Sequence, residues 1–449
     1  MASSRSFSAR RRRRDARRVT AGAVKPAIPT TPSRLQTVAW WAVAAALAGA
    51  AWAVDPLADA AFDAPKRLCV LAGAVFAAAA LLWRAPVPDW RTWSKEAKWI
   101  VATVIVGVVC VLLSTFASPH PELAWPSLRH FLIMALFVIL GASQLLDGAT
   151  GARMFIMFLI ACVTNALISL AQSGGMEFLP IAQLGGRFAT GALLGNEGYV
   201  ALACAMMAAA CVACAVNVSS RAMRVEFILI AALGLWVMLL NQQKTALIGF
   251  VAALLAIVAV RWRMRWLLAG MAGLLALGTL SVLIAPVRAA TWGALPISSY
   301  QQLTTYRLGA WIAAGDMAME HPLTGFGPGT FAAEAQTHRL AAELRIRERL
   351  NPPTEASFVY AHQDYLQLAA ESGIPALLLF LGAIVALFGK LASQREPTLE
   401  QQVLLAIGAT GMIVALSWFP MHIPFTACVL LLCAGRAWRL IALPREVSR

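Results

Sequence analysis

Three short stretches of the chain combine residue types able to hold anions and move protons. The first is Gly185–Gly186–Arg187–Phe188–Ala189–Thr190–Gly191 and the second is Tyr306–Arg307–Leu308–Gly309–Ala310–Trp311. The third is Ala361–His362–Gln363–Asp364–Tyr365–Leu366–Gln367, followed by Glu371–Ser372–Gly373. A guanidinium keeps its charge at any working pH and meets phosphate oxygens with two parallel N–H donors. Glycines around Arg187 let a bulky anion approach the backbone. An imidazole titrates near neutrality, which makes His362 the best candidate for proton transfer. Each residue also has a plainer role open to it. Arg187 would snorkel or bind a lipid phosphate at a helix end, Arg307 would pair with Asp316, and His362 would pair with Asp364 or Glu371. His321, just before Pro322, reads as a turn-shaping residue, and His338, beside Arg339, as a solvated helix residue. Trp292, Tyr300 and Trp311 would line a sugar or anchor the chain at a membrane interface.

What must position these residues is a membrane bundle. Of 449 residues, 60% are hydrophobic and 13% charged, with a mean hydropathy of +0.70. That composition excludes a disordered chain, a disulfide scaffold and a soluble enzyme. The apolar residues fall in runs long enough to cross a bilayer as helices. Twelve spans are expected, at roughly 35–54, 67–83, 99–116, 130–146, 154–173, 195–216, 226–241, 245–260, 266–285, 374–392, 402–418 and 425–441. The expected fold is an all-α membrane protein of about twelve transmembrane helices, with a large helical loop on the outer face between spans nine and ten, the periplasmic loop of the family resemblance given below.

Charge placement orients it. Residues 1–34 hold ten Lys and Arg, including Arg10 to Arg14, and a basic segment before a first span stays in the cytoplasm. With both termini inside, inner segments carry 26 of the 37 basic residues and outer segments 11. The formal charge of +15 therefore reads as topogenic and lipid-touching. No aromatics interleave with the basic tail, so nucleic acid is not an expected partner. Residues 1–34 are expected as a disordered cytoplasmic tail, 35–285 as spans one to nine, 374–441 as spans ten to twelve and 442–449 as a second cytoplasmic tail.

The segment 286–373 breaks the short-loop pattern, and loops this long in a compact architecture are usually functional. Helical spacing of apolar residues over Tyr306–Glu320 and Phe331–Leu350 predicts two helices. Between them, His321–Pro322–Leu323–Thr324–Gly325–Phe326–Gly327–Pro328–Gly329 must end one and start the other. A helical cap over the outer membrane face is expected, carrying the catalytic motifs. All eight cysteines fall in spans, and the Cys211/Cys214 spacing reads as packing rather than metal. No Walker or dinucleotide glycine pattern and no metal-binding cluster of outer His and carboxylates appears, so no cofactor and no metal are expected. Few ionisable residues lie within the spans, unlike an ion-coupled pump.

These features together resemble the O-antigen ligase and O-antigen polymerase family of bacterial membrane glycosyltransferases. The resemblance rests on Arg187 to Asn196 (RFATGALLGN), on Arg307 through Phe331 with HPLTGFGPGTF, and on His362–Gln363 with the spaced Gly373. The layout agrees over roughly residues 35–440. It implies inverting transfer of a glycan from undecaprenyl diphosphate on the periplasmic face of the inner membrane, without a metal. Arg187 and Arg307 would hold the diphosphate and stabilise charge on the leaving group. His362 would orient or deprotonate the acceptor hydroxyl, or help bind the diphosphate. Lys244 and Arg288 join Arg187 and Arg307 as expected substrate-binding residues. The chain departs from relatives in reading Gln243–Lys244–Thr245 where many have Ser–Arg, and Lys lacks the bidentate fork. It reads Asn196–Glu197–Gly198 where Asn–Pro–Asn is common, and Ala376 where the ligase motif prefers Gly, Thr or Val. The His362–Gln363 and Gly373 spacing favours a ligase acting on lipid A–core oligosaccharide. A polymerase using a lipid-linked glycan acceptor is the alternative, and a transporter without a bond-making step is a further one. Membrane lipids are the remaining expected partners.

Overall fold

The computed structural model describes residues 34–82, 90–262, 301, 302, 304–347, 349, 350, 358–394 and 396–442. The expected ninth span at 266–285, Arg288, Trp292, Tyr300 and the basic residues 1–33 lie outside the described residues. Within them the chain is all-helical, with thirteen α-helices and no strand. They are α1 (Arg34–Trp52), α2 (Ala64–Leu82), α3 (Lys95–Ala117), α4 (Pro121–Ala142), α5 (Ala149–Ser173), α6 (Glu197–Ala215) and α7 (Arg221–Leu240). The remainder are α8 (Lys244–Arg261), α9 (Leu308–Glu320), α10 (Phe331–Ile346), α11 (Asp364–Ala392), α12 (Leu399–Val414) and α13 (Pro424–Ala442). Nine of these are long and apolar enough to cross a membrane. Helices α1 and α12 coincide with the first and eleventh expected spans but fall outside that set of nine, α12 being only 16 residues long.

Two boundaries move for physical reasons. Helix α4 starts at Pro121 rather than near 130, because proline at the first turn lacks an N–H that would have no partner there anyway. Helix α11 starts at Asp364, ten residues before the expected span. Gln363 caps it, its side-chain oxygen accepting from Leu366 N at 2.9 Å. The polar first turns stay helical because Asp364, Gln367 and Glu371 are buried among partners. The helix then kinks at Gly373 and Pro375 and enters its apolar run.

Helix α6 is the axis of the bundle. Its Ala, Cys and Met side chains are buried almost all round, and α5, α7, α8 and α12 pack against it. Small residues permit that close approach where no water drives helices together. Helix α3 pairs with α11, and α4 with α13. Trp41, Trp90, Trp99, Trp236 and Trp262 are exposed on the outside, a placement that suits interfacial anchors.

Helices α9 and α10 form an antiparallel pair seated on the first turns of α11. Ala310, Ala313, Ala314, Met317, Phe331 and Ala335 share a small core with Phe358, Leu366 and Ala370. Ion pairs join the two outside that core, Arg345 to Asp316 at 2.7 Å and His338 to Glu320 at 3.0 Å. The turn between them is stitched to α11. Phe326 N and Gly327 N donate to the Ala370 and Glu371 carbonyls at 3.0 and 2.8 Å, and Ile374 N donates to Pro322 O at 2.9 Å. Gly325 and Gly373 have φ of +65° and +84°, and a side chain on either would overlap the other segment's backbone. The glycines of the second and third motifs thus serve one interlock.

Candidate active site

Arg187 lies on the loop between α5 and α6, which closes through an isolated bridge between Arg187 and Asn196. Arg187 N donates to Gly195 O at 2.8 Å. Side chains of α5 hold the loop from beneath. Asn165 Oδ1 accepts from Leu193 N at 3.1 Å and Gln172 Oε1 from Ala192 N at 2.9 Å. Thr190 donates to Asn241 Oδ1 at 2.7 Å, tying the loop to the end of α7. The guanidinium itself is exposed, 4.9 Å from the Phe188 ring.

Arg307 is the residue just before α9. Its Nη1 donates to Ser417 O at 2.9 Å, and its guanidinium lies 5.0 Å over the Trp418 ring. The Ser417 hydroxyl donates to Thr245 Oγ1 at 3.3 Å, so the start of α8, with exposed Lys244, borders the same place. Burial, reinforced by the Arg187 charge, pulls Arg307 down to about 10. Neither Arg187 nor Arg307 forms an ion pair with a carboxylate among the described residues. The plainer role for Arg307 is removed directly, since Asp316 pairs with Arg345.

His362 precedes α11 with its ring edge-on to Phe419, centroids 4.9 Å apart. Its Nδ1 lies 3.0 Å from Tyr360 O. A carbonyl oxygen only accepts, so Nδ1 carries the proton and Nε2 of the neutral ring is left with a lone pair. Burial, with the charge of Arg307 next and Arg187 and His422 adding to it, pulls His362 down to about 4. The ring is therefore neutral near pH 7. Asp364 and Glu371, its plainer partners, are engaged elsewhere. Arg187, Arg307 and His362 share one electrostatic environment, with Lys244 at its edge.

Backbone conformation marks the same segments. Among non-glycine residues, left-handed φ occurs at Phe188 (+63°), Ala192 (+46°), Gln242 (+51°), Thr305 (+52°), Tyr306 (+59°), Arg347 (+56°) and His362 (+54°). All but Arg347, at the end of α10, lie within a few residues of Arg187, Lys244 or Arg307, or are the candidate itself. Each such residue costs about 1–3 kcal/mol and survives only where its surroundings hold it.

Two neighbours, His422 and Arg67, lie outside the three motifs. Asp364 Oδ1 meets His422 Nδ1 at 2.9 Å, and Gln367 Nε2 donates to Glu371 Oε1 at 3.0 Å and reaches His422 Nε2 at 3.2 Å. Burial lowers His422, but the Asp364 bond and charge, with Glu371, outweigh it and leave the imidazole raised. Arg67 of α2 donates to Tyr360 OH and His422 O at 3.4 and 3.3 Å. The stretch Ser417 to His422, joining α12 to α13, thus supports Arg307, His362 and Asp364 together. In sequence it includes a Trp–Phe–Pro–Met–His run that begins at the end of the eleventh expected span and carries no signal of this role.

The bundle thus holds, against a helical hairpin, two arginines without a carboxylate partner among the described residues and a neutral histidine. Residues 228–381 match the family model described as O-antigen ligase. The match runs from α7 through α11, taking in Lys244, Arg307 and His362, while Arg187 precedes it. No curated protein matches the chain.

Proposed function

We propose that the protein is an O-antigen ligase, transferring a glycan from undecaprenyl diphosphate to lipid A–core oligosaccharide at the periplasmic face of the inner membrane. The observation that carries this reading is that Arg187 and Arg307, without carboxylate partners among the described residues, both act on a neutral His362 with a free Nε2 lone pair. The helical hairpin α9–α10 would then be the periplasmic cap. The donor's diphosphate lies against Arg187 and Arg307, with Lys244 and Arg288 as further cations.

An acceptor hydroxyl attacks the anomeric carbon from the face opposite the diphosphate, which inverts its configuration. The new C–O bond forms as the bond from carbon to phosphate oxygen breaks, and the hydroxyl proton passes to His362 Nε2. The electron pair of the broken bond stays on the diphosphate, where the arginines stabilise it. One well-aimed donor of this kind is worth roughly 3–4 kcal/mol. The two guanidinium charges meet the need that a divalent cation meets elsewhere, so EDTA is expected to leave transfer unchanged.

A lipopolysaccharide gel with a carrier-lipid assay, on a deletion strain and its rescue by wild-type or His362→Ala protein, tests this. Bare core with long glycan accumulating on the carrier supports the ligase. Core bearing a single repeat would make the protein a polymerase with a lipid-linked acceptor. Full rescue by His362→Ala would remove the base, and with it the preference for a bond-making enzyme over a transporter.

A further inference from the structure

Two buried polar atoms beside the arginines have no hydrogen-bond partner among the described residues, Glu197 Oε2 and Trp418 Nε1. Buried polar atoms are rarely left so, and each such atom calls for an explanation. Both belong to one small region. Glu197 opens α6, and the charge of Arg187 on the loop before it acts on its carboxyl. Its other oxygen, Oε1, accepts from Gln243 Nε2 at 3.4 Å, next to Lys244. Gly198, the following residue, packs directly against the far edge of the Trp418 six-membered ring, at Cη2 and Cζ2, and a side chain there would overlap the ring. Arg307 lies over that same ring. Glu197 is thus a neighbour of Arg187, and Trp418 of Arg307.

Their chemistry is complementary. An ionised carboxylate only accepts hydrogen bonds and an indole N–H only donates. A group that satisfies both must itself donate and accept, as a hydroxyl does. Arg187 does not quench the carboxylate, since no ion pair within 4 Å joins them. Glu197 Oε2 is therefore poised to accept from a ligand.

We propose that Glu197 and Trp418 form a subsite for the hydroxyl-bearing sugar ring attached directly to the diphosphate, selecting the donor by its first sugar. This rests on the diphosphate reading given above. A diphosphate between Arg187 and Arg307 brings its own first sugar beside them, where the carboxylate accepts from one hydroxyl and the indole N–H donates to the same or a neighbouring one. Glu197 is thus a specificity-determining residue, separate from the groups that meet the phosphates and the proton.

The test uses the full chain in lipid nanodiscs and two probes, undecaprenyl diphosphate and undecaprenyl diphosphate bearing one N-acetylglucosamine. Wild-type protein is expected to bind the sugar-bearing carrier more tightly. Glu197→Ala should lose about 3- to 10-fold of that preference, the size of one hydrogen bond, with affinity for the bare carrier unchanged. Glu197→Gln keeps an accepting oxygen and should recover part of the preference. Trp418→Phe keeps an aromatic face under Arg307 and should lose preference as Glu197→Ala does. A thermal melt on each variant identifies any that fails to fold, and Glu197→Gln then carries the test. An unchanged preference in Glu197→Ala and Trp418→Phe would mean that water fills the site and would overturn the proposal. Equal loss for both carriers would overturn it too, showing that Glu197 acts only through Arg187. If Arg307→Ala binds the bare carrier as wild-type does while Glu197→Ala loses the preference, the diphosphate reading falls and the sugar subsite stands.

Discussion

The two ends of the bundle use arginine in opposite ways. At one end, Arg436 and Arg439 of α13 meet Asp147 and Glu400. Arg436 Nε donates to Glu400 Oε1 at 2.6 Å and its Nη1 donates to Asp147 Oδ1, while Arg439 Nη2 reaches Asp147 Oδ2 at 2.7 Å. Burial alone would raise the Asp147 carboxyl, yet its bonds to Arg439 and Arg436 hold it below the usual carboxylate range. At the other end, Arg307 has one carbonyl and an indole face, and Arg187 has a neighbouring phenyl ring. The paired arginines tie α12, α13 and the α4–α5 turn together. Those at the site stand near each other without a carboxylate partner among the described residues, an arrangement that costs stability.

The largest expected effects break this contrast in both directions. Arg307→Ala should lower glycan transfer by about a hundred- to a thousand-fold. Its melting temperature should hold or rise, because the variant removes a repulsion with Arg187. Arg436→Ala should do the reverse. It strips two carboxylates of a shared partner, at a cost of about 1–3 kcal/mol, and should lower the melting temperature while specific activity per folded molecule persists. Transfer assays and melts on the same preparations check both. A large fall in melting temperature for Arg307→Ala would place that arginine with the structural pair.

His362→Ala should lower transfer by about 10²–10⁴-fold, the usual worth of a positioned base. The pH profile of wild-type protein carries the sharper information. Because the imidazole is held down near 4, the acid limb of transfer should lie near pH 4 rather than at the ordinary 6.5 of histidine. The same shift favours the folded state as pH rises from about 4 to 6.5, where the unfolded chain binds the extra proton. An acid limb at pH 6.5 would mean that another group limits the reaction.

Much of this end of the molecule was legible in the sequence, and the illegible part has a physical reason. Arg187, Arg307 and His362 stood out because charged residues are rare in so apolar a chain. The helix pair over Tyr306–Glu320 and Phe331–Leu350 appears as α9 and α10, ending four residues early at Ile346. What the pattern could not display was pairing. Asp316 was as near to Arg307 in sequence as to any partner, and only the antiparallel hairpin brings Arg345 to it. Likewise Asp364 sits two residues from His362 yet bonds to His422, 58 positions away. Trp418, at the end of the eleventh expected span, and His422, in the connection after it, carry no signal until the fold brings α9 and α11 against them.

The interlock between the cap and α11 ranks next in size. Gly373→Ala asks a side chain to adopt φ near +84° and to occupy the Leu323 carbonyl's space. About 1–3 kcal/mol of strain is expected, read as a lower melting temperature. Transfer should fall with it, since the same stitch positions the first turns of α11.

The smallest effect concerns the outer corner of the cap, where His120 Nε2 meets Glu334 Oε1 at 2.6 Å and joins the α3–α4 turn to α10. The Glu334 hydrogen bond outweighs the opposing effect of burial, and with Glu122 it raises the imidazole above its usual value. A raised histidine contributes its stabilisation fully below about pH 6.5 and loses it as pH climbs through the raised value. Both side chains are partly exposed, so the contribution is small. Amide exchange in α10, corrected for intrinsic rates, should therefore quicken modestly between neutral and alkaline pH in wild-type protein, while Glu334→Gln should be flat over the same range. A flat wild-type profile would show that the ion pairs of Arg345 and His338 hold α10 without help from this corner, leaving Arg187, Arg307 and His362 beneath a cap anchored from within.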